Sequence, residues 1–251
     1  MTRLLLTLRY NGAAFHGWQV QPNGTTVQET LQDAIEKLTG VRSGVIGCSR
    51  TDAGVSAEMF CCSFDTEFPL RGEKLLAGLN AHLPRTVSVY EVQEMPADFH
   101  PRYAALGKRY EYRIWNGRQR HPLWEDRAWQ LNRRLDADAM NAAAALYLGR
   151  HDFAGFCSAG SSVEDTVRTV TRAEVKREGD LVTFTVEADG FLYNMVRIMI
   201  GTLVDLSDGK RTPQDIAAAL QNGDRQAAGR TAPAEGLILS RVFYDFQQKE
   251  A

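Results

Sequence analysis

Hydrophobic and polar positions in the first half of the chain change their period several times. Alternate positions of Arg3–Tyr10 are leucine or tyrosine, which predicts a strand. From Val27 to Leu38 the hydrophobic residues recur at helical spacing, between a capping box at Thr26–Glu29 and Gly40. Later segments predict two strands, a helix and a further strand, at Val45–Cys48, Met59–Phe64, Glu73–His82 and Val87–Val92. The order β-α-β-β-α-β is the ferredoxin-like signature.

The second half of the chain repeats this order. Arg109–Trp115 predicts a strand, and Asp136–Gly149 predicts an alanine-rich helix with Asp136 as its N-cap. The remaining segments predict two strands, a buried helix, an added helix and a closing strand, at Thr169–Lys176, Leu181–Ala188, Phe191–Leu206, Pro213–Gln221 and Leu237–Phe246. We therefore expect an α/β (α+β) fold of two similar ferredoxin-like halves with mainly antiparallel sheets, divided into residues 1–105 and 106–251.

The composition is that of a globular protein, with 44% hydrophobic and 24% charged residues and a net charge of −2. The most apolar stretch, Phe191–Leu206, is interrupted by Asn194, Arg197 and Asp205 and is too short to cross a bilayer. The four cysteines have neither CxxC nor zinc-site spacing. We expect a cytoplasmic, reduced protein without a structural metal.

Basic charge is concentrated in one segment. From His100 to Arg134 nine basic residues stand against three acidic ones, and aromatic residues are interleaved with them. Arginine presents a planar fork that binds phosphate and stacks on bases, so the segment is typical of binding to single-stranded or looped nucleic acid. The alternative interpretation is ordinary solvated surface charge.

Several common catalytic motifs are absent from the sequence. There is no GxGxxG, GxxxxGK[ST] or GxSxG motif, and the five histidines show no HxH or HxxxH spacing. Hydride transfer, nucleotide hydrolysis and metal-assisted mechanisms therefore lack support. We expect neither a metal nor an organic cofactor.

The most distinctive segment is the loop Gly47–Ala57, which lies between two predicted strands. One interpretation makes Asp52 a carboxylate nucleophile or acid/base, with Arg50 holding a nearby phosphate. The alternative is a simple turn in which Asp52 caps the backbone and Gly54 takes a positive φ. Residue spacing alone favours the turn.

Five separated motifs resemble those of the TruA-type tRNA pseudouridine synthases. In chain order they are Ser49–Ala57, Asp98–Arg102 with Ala104, Lys108, Tyr110 and Tyr112, Gly149–Phe153 with Phe156, Gly190–Arg197 with Gly201, and Thr231–Leu237. The resemblance covers nearly the whole chain. It implies two similar α/β halves around a central basic cleft, with the catalytic loop in the first half and the second half completing the cleft.

The resemblance also implies roles for individual residues. Asp52 matches the catalytic aspartate, Tyr110 matches the tyrosine against the target base, and Arg197 matches the arginine that pairs with the aspartate. The residues implied to contact tRNA are Arg50, Thr51, His100, Arg102, Lys108 and Arg109. The implied reaction isomerises uridine to pseudouridine at tRNA positions 38 to 40, in the anticodon stem-loop, by a homodimer that needs no metal or organic cofactor.

Two positions depart from the usual family pattern. Ser49 stands where glycine is common and Ser56 where histidine is common, which leaves the loop geometry and the uridine preference open. The residues alone also leave alternatives. In place of the catalytic roles, Arg197 would form a buried structural ion pair and Tyr110 would pack against a strand face. In place of a tRNA pseudouridine synthase, the whole protein would be a non-catalytic RNA-binding module or a related synthase with another RNA substrate.

Overall fold

The computed structural model describes residues 1–69, 71–160 and 163–246, which divide into two compact units. Unit 1 comprises Met1–Leu106 and the closing segment that starts at Ile238, and unit 2 comprises Gly107–Leu237. The first crossing between the units falls one residue beyond the expected boundary. The closing strand, expected with the second half, is grouped with unit 1 from Ile238 onward, and Ile238 and Leu239 lie opposite Ser56 and Ala57 of that unit.

Unit 1 follows the predicted β-α-β-β-α-β order. Its elements are β1 (Thr2–Tyr10), α1 (Val27–Thr39), β2 (Ile46–Gly47), β3 (Ser56–Thr66), α2 (Gly72–His82) and β4 (Val87–Met95), and the chain returns to it in β10 (Leu237–Phe243). β1 lies between β4 and β3 and is antiparallel to both. β10 runs parallel to β3, with Ile238 opposite Ser56, and the short β2 is antiparallel to β3.

The ends of α1 are fixed by the residues that the pattern predicts. The Thr26 hydroxyl accepts a hydrogen bond from the Glu29 N–H, and Gly40 closes the helix with φ 78°. β3 is longer than predicted and begins at Ser56. The loop that contains Asp52 is therefore short and is tied to the start of a central strand.

Unit 2 is also built around an antiparallel sheet. Its elements are β5 (Gly107–Trp115), β6 (Trp129–Gln130), α3 (Ala137–Ala144), β7 (Gly149–Asp152), β8 (Val167–Glu178), β9 (Leu181–Ala188), α4 (Met195–Ser207) and α5 (Pro213–Asn222). The strand order is β5-β9-β8-β7, with every neighbour antiparallel and β6 parallel to β5. The prediction of an α/β fold with mainly antiparallel sheets is confirmed.

Two helices of unit 2 do not have the ends that the sequence predicts. The helix predicted to reach Gly149 stops at Ala144, because the following turn buries Tyr147, whose hydroxyl donates to the Met199 carbonyl at 3.2 Å. The helix predicted to start at Phe191 begins four residues later, because Asn194 adopts a left-handed conformation (φ 60°). Between α3 and β8, unit 2 also contains the short strand β7, which the predicted β-α-β-β-α-β order does not include. Within the described part of the chain, no helix is long and apolar enough to span a membrane.

Candidate active-site residues

The loop that contains Asp52 is held by hydrogen bonds to the chain that follows β1. The Trp18 N–H donates to the Thr51 carbonyl at 3.1 Å, and the Gly54 N–H donates to the Phe15 carbonyl at 3.3 Å. These bonds flank Asp52, whose side chain is half-buried. The loop therefore presents its carboxylate from a backbone fixed on both sides.

A turn in which Gly54 has a positive φ, one part of the alternative interpretation, is present in the same loop. Gly54 has φ 82°, and the Val55 N–H donates to the main-chain carbonyl of Asp52 at 3.1 Å. Turn geometry and a catalytic role are compatible, because this hydrogen bond uses the backbone oxygen of Asp52 rather than its carboxylate.

Two glycines allow the chain after β1 to approach the loop closely. A Cβ at Gly17, which has φ 86°, would lie 2.5 Å from the Thr51 carbonyl oxygen, and one at Gly12 would lie 2.1 Å from the Val55 carbonyl oxygen. We call residues Asn11–Trp18 the support segment. This segment was not predicted as part of the site, although glycines at positions 12 and 17, soon after a predicted strand, indicate close backbone approach.

Ser56, one of the two positions that depart from the family pattern, connects the loop to the support segment. Its hydroxyl oxygen accepts a hydrogen bond from the buried Gly12 N–H at 2.9 Å. The other such position, Ser49, donates to the Arg50 carbonyl at 3.3 Å. Serine at position 56 therefore satisfies a main-chain donor that would otherwise be buried without a partner.

Three of the predicted RNA contacts share one pocket of unit 1. Arg50, His100 and Arg102 line a pocket of about 240 Å³, together with Tyr103. Thr51 differs from them, because it is buried and its hydroxyl lies 2.8 Å from the Tyr10 hydroxyl. The contact between Thr51 and Tyr10 joins the loop to the end of β1.

Unit 2 places the other predicted contacts on β5. Tyr110 is buried, and its ring packs edge to face against Phe191 with centroids 5.0 Å apart. Lys108 is also buried, and Arg109 forms an ion pair with Glu187 on β9 at 2.7 Å. Successive side chains of a strand point to opposite faces, so Lys108 and Tyr110 share one face of the sheet, and Arg109 lies on the other with its guanidinium paired to Glu187.

Arg197 lies in the first turn of α4 and is held by side-chain contacts within unit 2. Its Nε donates to the Ala232 carbonyl at 2.7 Å, and its Nη1 donates to Asn194 Oδ1 at 2.6 Å. The Asn194 amide also donates to the Ser158 hydroxyl at 2.9 Å. Asn194 was not predicted as a site residue, although it directly precedes the helix within a matched motif.

The last of the five motifs packs against α4. A Cβ at Gly201 would lie 1.9 Å from the Arg230 carbonyl oxygen, so the two backbones are in contact. The Arg230 guanidinium forms an ion pair with Asp205 of α4. The Tyr112 hydroxyl donates to the Pro233 carbonyl at 2.7 Å, and burial raises the pKa of Tyr112 well above its ordinary value, so it remains a donor. These contacts fix the carbonyl that Arg197 binds.

A family profile described as tRNA pseudouridine synthase matches residues 7–104 and 143–245 of the chain. The chain belongs to this family, whose members are isomerases that act on uridine in tRNA. The matched ranges include Asp52, Asn194 and Arg197, whereas Lys108, Arg109 and Tyr110 lie between them.

Individual relatives narrow the resemblance to one kind of synthase. Three proteins named tRNA pseudouridine synthase A, from Acetivibrio thermocellus, Geobacillus kaustophilus and Myxococcus xanthus, are similar to this chain. Each is 43% identical to it in an alignment that covers 97% of the chain. The chain covers 100%, 95% and 92% of their respective lengths. The similarity therefore extends over whole proteins and not over one shared module.

Proposed function

We propose that this protein isomerises uridine to pseudouridine at positions 38 to 40, in the anticodon stem-loop of tRNA. The observation that carries the proposal is the loop with half-buried Asp52, which is anchored on both sides and lies inside the family match. The relatives named tRNA pseudouridine synthase A support this choice of substrate. The proposal places the reaction in the cytoplasm and the enzyme in a homodimer.

The proposed chemistry needs a carboxylate and a base. Asp52 attacks the nucleotide or assists departure of its uracil, which breaks the bond from C1′ to N1. The uracil turns, C1′ joins C5 while any bond between C1′ and Asp52 breaks and frees the carboxylate, the proton of C5 is lost with help from Tyr110, and N1 gains a proton. Arg197 supports the ionised carboxylate. The sum is redox-neutral and consumes no second substrate.

Substrate binding is proposed to rest on phosphate contacts. A base stacked in an RNA stem must be extruded before chemistry, at a cost of a few kcal/mol. Contacts from Arg50, Arg102 and Lys108 to phosphates would offset that cost. His100, Arg109 and Thr51 complete the proposed set, with Thr51 acting through the position of the loop because its hydroxyl is engaged with Tyr10.

The proposal is tested by tritium release from tRNA labelled at uridine C5, since pseudouridine formation must expel that hydrogen. We expect release by the natural protein and none by Asp52→Ala, while tRNA binding by the variant persists. Asp33→Ala is the matched control, because Asp33 is an exposed carboxylate of α1 whose ion pair with Arg42 lies at the surface.

Two results would contradict the proposal. Release by Asp52→Ala at the natural rate would refute the catalytic role of Asp52. Tight tRNA binding by the natural protein without any release would identify an RNA-binding protein that does not catalyse this reaction.

A further inference from the structure

One pocket of unit 1 combines aromatic and basic side chains. Its lining includes Trp18, Ser49, Arg50, His100, Arg102 and Tyr103. The volume of about 240 Å³ lies below the roughly 300–1,000 Å³ that is usual for sites of drug-sized ligands. The pocket is therefore suited to a small planar group with an adjacent charge.

The aromatic part of this pocket is a ring pair. The rings of His100 and Tyr103 have centroids 4.3 Å apart and an interplanar angle of 33°. His100 Nδ1 accepts hydrogen bonds from the main-chain N–H groups of Arg102 and Tyr103, at 3.2 and 3.4 Å, which fixes the imidazole under the turn. Tyr103 is 79% exposed, so a large aromatic surface is held against His100 while remaining open to solvent.

The charged part consists of two exposed arginines without a carboxylate partner. Within the described residues, neither Arg50 nor Arg102 forms a salt bridge, whereas Arg3 and Arg42 of the same unit are paired with aspartates. A nucleotide of RNA can use both features, because its phosphate binds an unpaired guanidinium and its base stacks on an aromatic ring.

We propose that this pocket binds an unpaired nucleotide beside the uridine that is isomerised, with its base stacked on Tyr103 and its phosphate held by Arg50 and Arg102. The proposal rests on the proposed function, since it takes tRNA as the substrate. Arg50 is two residues from Asp52, which limits the separation of their Cα atoms to about 7 Å. The bound nucleotide is therefore a near neighbour of the target, where contacts govern the choice of uridine.

The test measures binding of the full-length protein to an anticodon stem-loop RNA and to a series in which each unpaired nucleotide in turn is abasic. We expect Tyr103→Ala to weaken binding of the intact RNA about 5- to 150-fold, the range for loss of one stacked base. For the RNA that is abasic at one particular position, the affinity of the natural protein should fall by the same factor. The affinity of Tyr103→Ala should be the same for that RNA as for the intact RNA. Tyr103→Phe should bind like the natural protein, because the ring stacks without its hydroxyl.

A matched control and a second readout complete the design. Tyr90→Ala, at a partly exposed tyrosine of β4, should leave binding unchanged. Arg50→Gln and Arg102→Gln should each make the slope of log affinity against log salt concentration less steep, by the amount that corresponds to the loss of about one phosphate contact. Tyr103 is exposed, so its variants should fold, and thermal melting checks this.

The outcomes separate this proposal from the proposed function. If the effects of Tyr103→Ala and of every abasic position simply add, the stacking site is refuted, even where the natural protein releases tritium. If coupling appears at one position but the natural protein releases no tritium, the stacking site stands and the proposed function fails.

Discussion

Asn194 offers a quantitative test of how Arg197 is positioned. Its side-chain oxygen accepts a hydrogen bond from Arg197 at 2.6 Å, and its own backbone is left-handed with φ 60°. Asn194→Gly keeps that backbone conformation without strain and removes only the side chain. Asn194→Ala removes the same contacts but keeps a Cβ in the left-handed conformation without the side-chain hydrogen bonding that lets asparagine adopt it, at a cost of about 1–2 kcal/mol.

The magnitudes follow from these contacts. A hydrogen bond to a charged group contributes about 1.5–3 kcal/mol, and the half-buried position of Arg197 favours the lower end. If that energy acts on the transition state, Asn194→Gly lowers the rate of the chemical step about 10-fold. Asn194→Asp retains the acceptor and tolerates the left-handed backbone, so it should restore most of the rate. The KM for tRNA should change little.

The assay is single-turnover tritium release with enzyme in excess, paired with thermal unfolding of each variant. Asn80→Ala is the matched control, because the Asn80 side chain also makes two hydrogen bonds, both to Val89, and lies outside the proposed chemistry. It should lose stability at an unchanged rate. A natural rate for Asn194→Gly would refute the positioning role, and equal stability of the glycine and alanine variants would refute the strain argument.

Other contacts lead to further predictions. Arg197→Met should lower tritium release and destabilise the fold by about 1–3 kcal/mol, because a main-chain carbonyl loses its donor; an unchanged rate and melting temperature would contradict this. Gly17→Ala should lower both the melting temperature and the rate, because the added Cβ meets a loop carbonyl at 2.5 Å; Gly179→Ala, also at a positive φ (61°) but with open space around it, should lower the melting temperature less and leave the rate unchanged. The guanidinium of Arg133 holds the pKa of Asp208 below its ordinary value, so this carboxylate stabilises the fold above pH about 4 and its contribution fades below that. Asp208→Asn should therefore lower the melting temperature at pH 7, with a difference that shrinks as the pH falls below about 4, and a difference independent of pH would refute the assignment.

Elements with strong local signals were predictable from sequence. The helix from Val27 is bounded by the Thr26 cap and Gly40, and the capping box at Thr212 together with Pro213 marks the start of α5. The strand Leu181–Ala188 has the predicted bounds, because its hydrophobic residues alternate between two turn signals. These features depend on neighbours within a few residues along the chain.

The misplaced helix ends depend on distant contacts. α3 ends where Tyr147 is drawn into the core to reach the Met199 carbonyl, and α4 begins where Asn194 turns left-handed and bonds Ser158. Neither partner lies within helical range in the sequence. Hydrophobic periodicity therefore placed α3 and α4 correctly but not the end of the first or the start of the second.

The candidate site also contains features that sequence motifs indicate and features that depend on contacts between distant residues. Asp52, Tyr110 and Arg197 were singled out because each lies in a motif that resembles the family pattern, and their catalytic roles stay predictions. The partners of the support segment could not be predicted, since Gly12 meets Ser56 across 44 positions and Gly17 meets Thr51 through a backbone approach that only the folded chain makes.

Most local elements of this protein, its family and the residues proposed for its chemistry could be inferred from the sequence alone. The tertiary structure decided that β10 pairs with β3, that Ser56 anchors the Asp52 loop and that Asn194 holds Arg197. The physical reason is that caps and periodicity act over one or two turns of chain, whereas strand pairing and side-chain anchoring depend on which distant segments the buried core brings together.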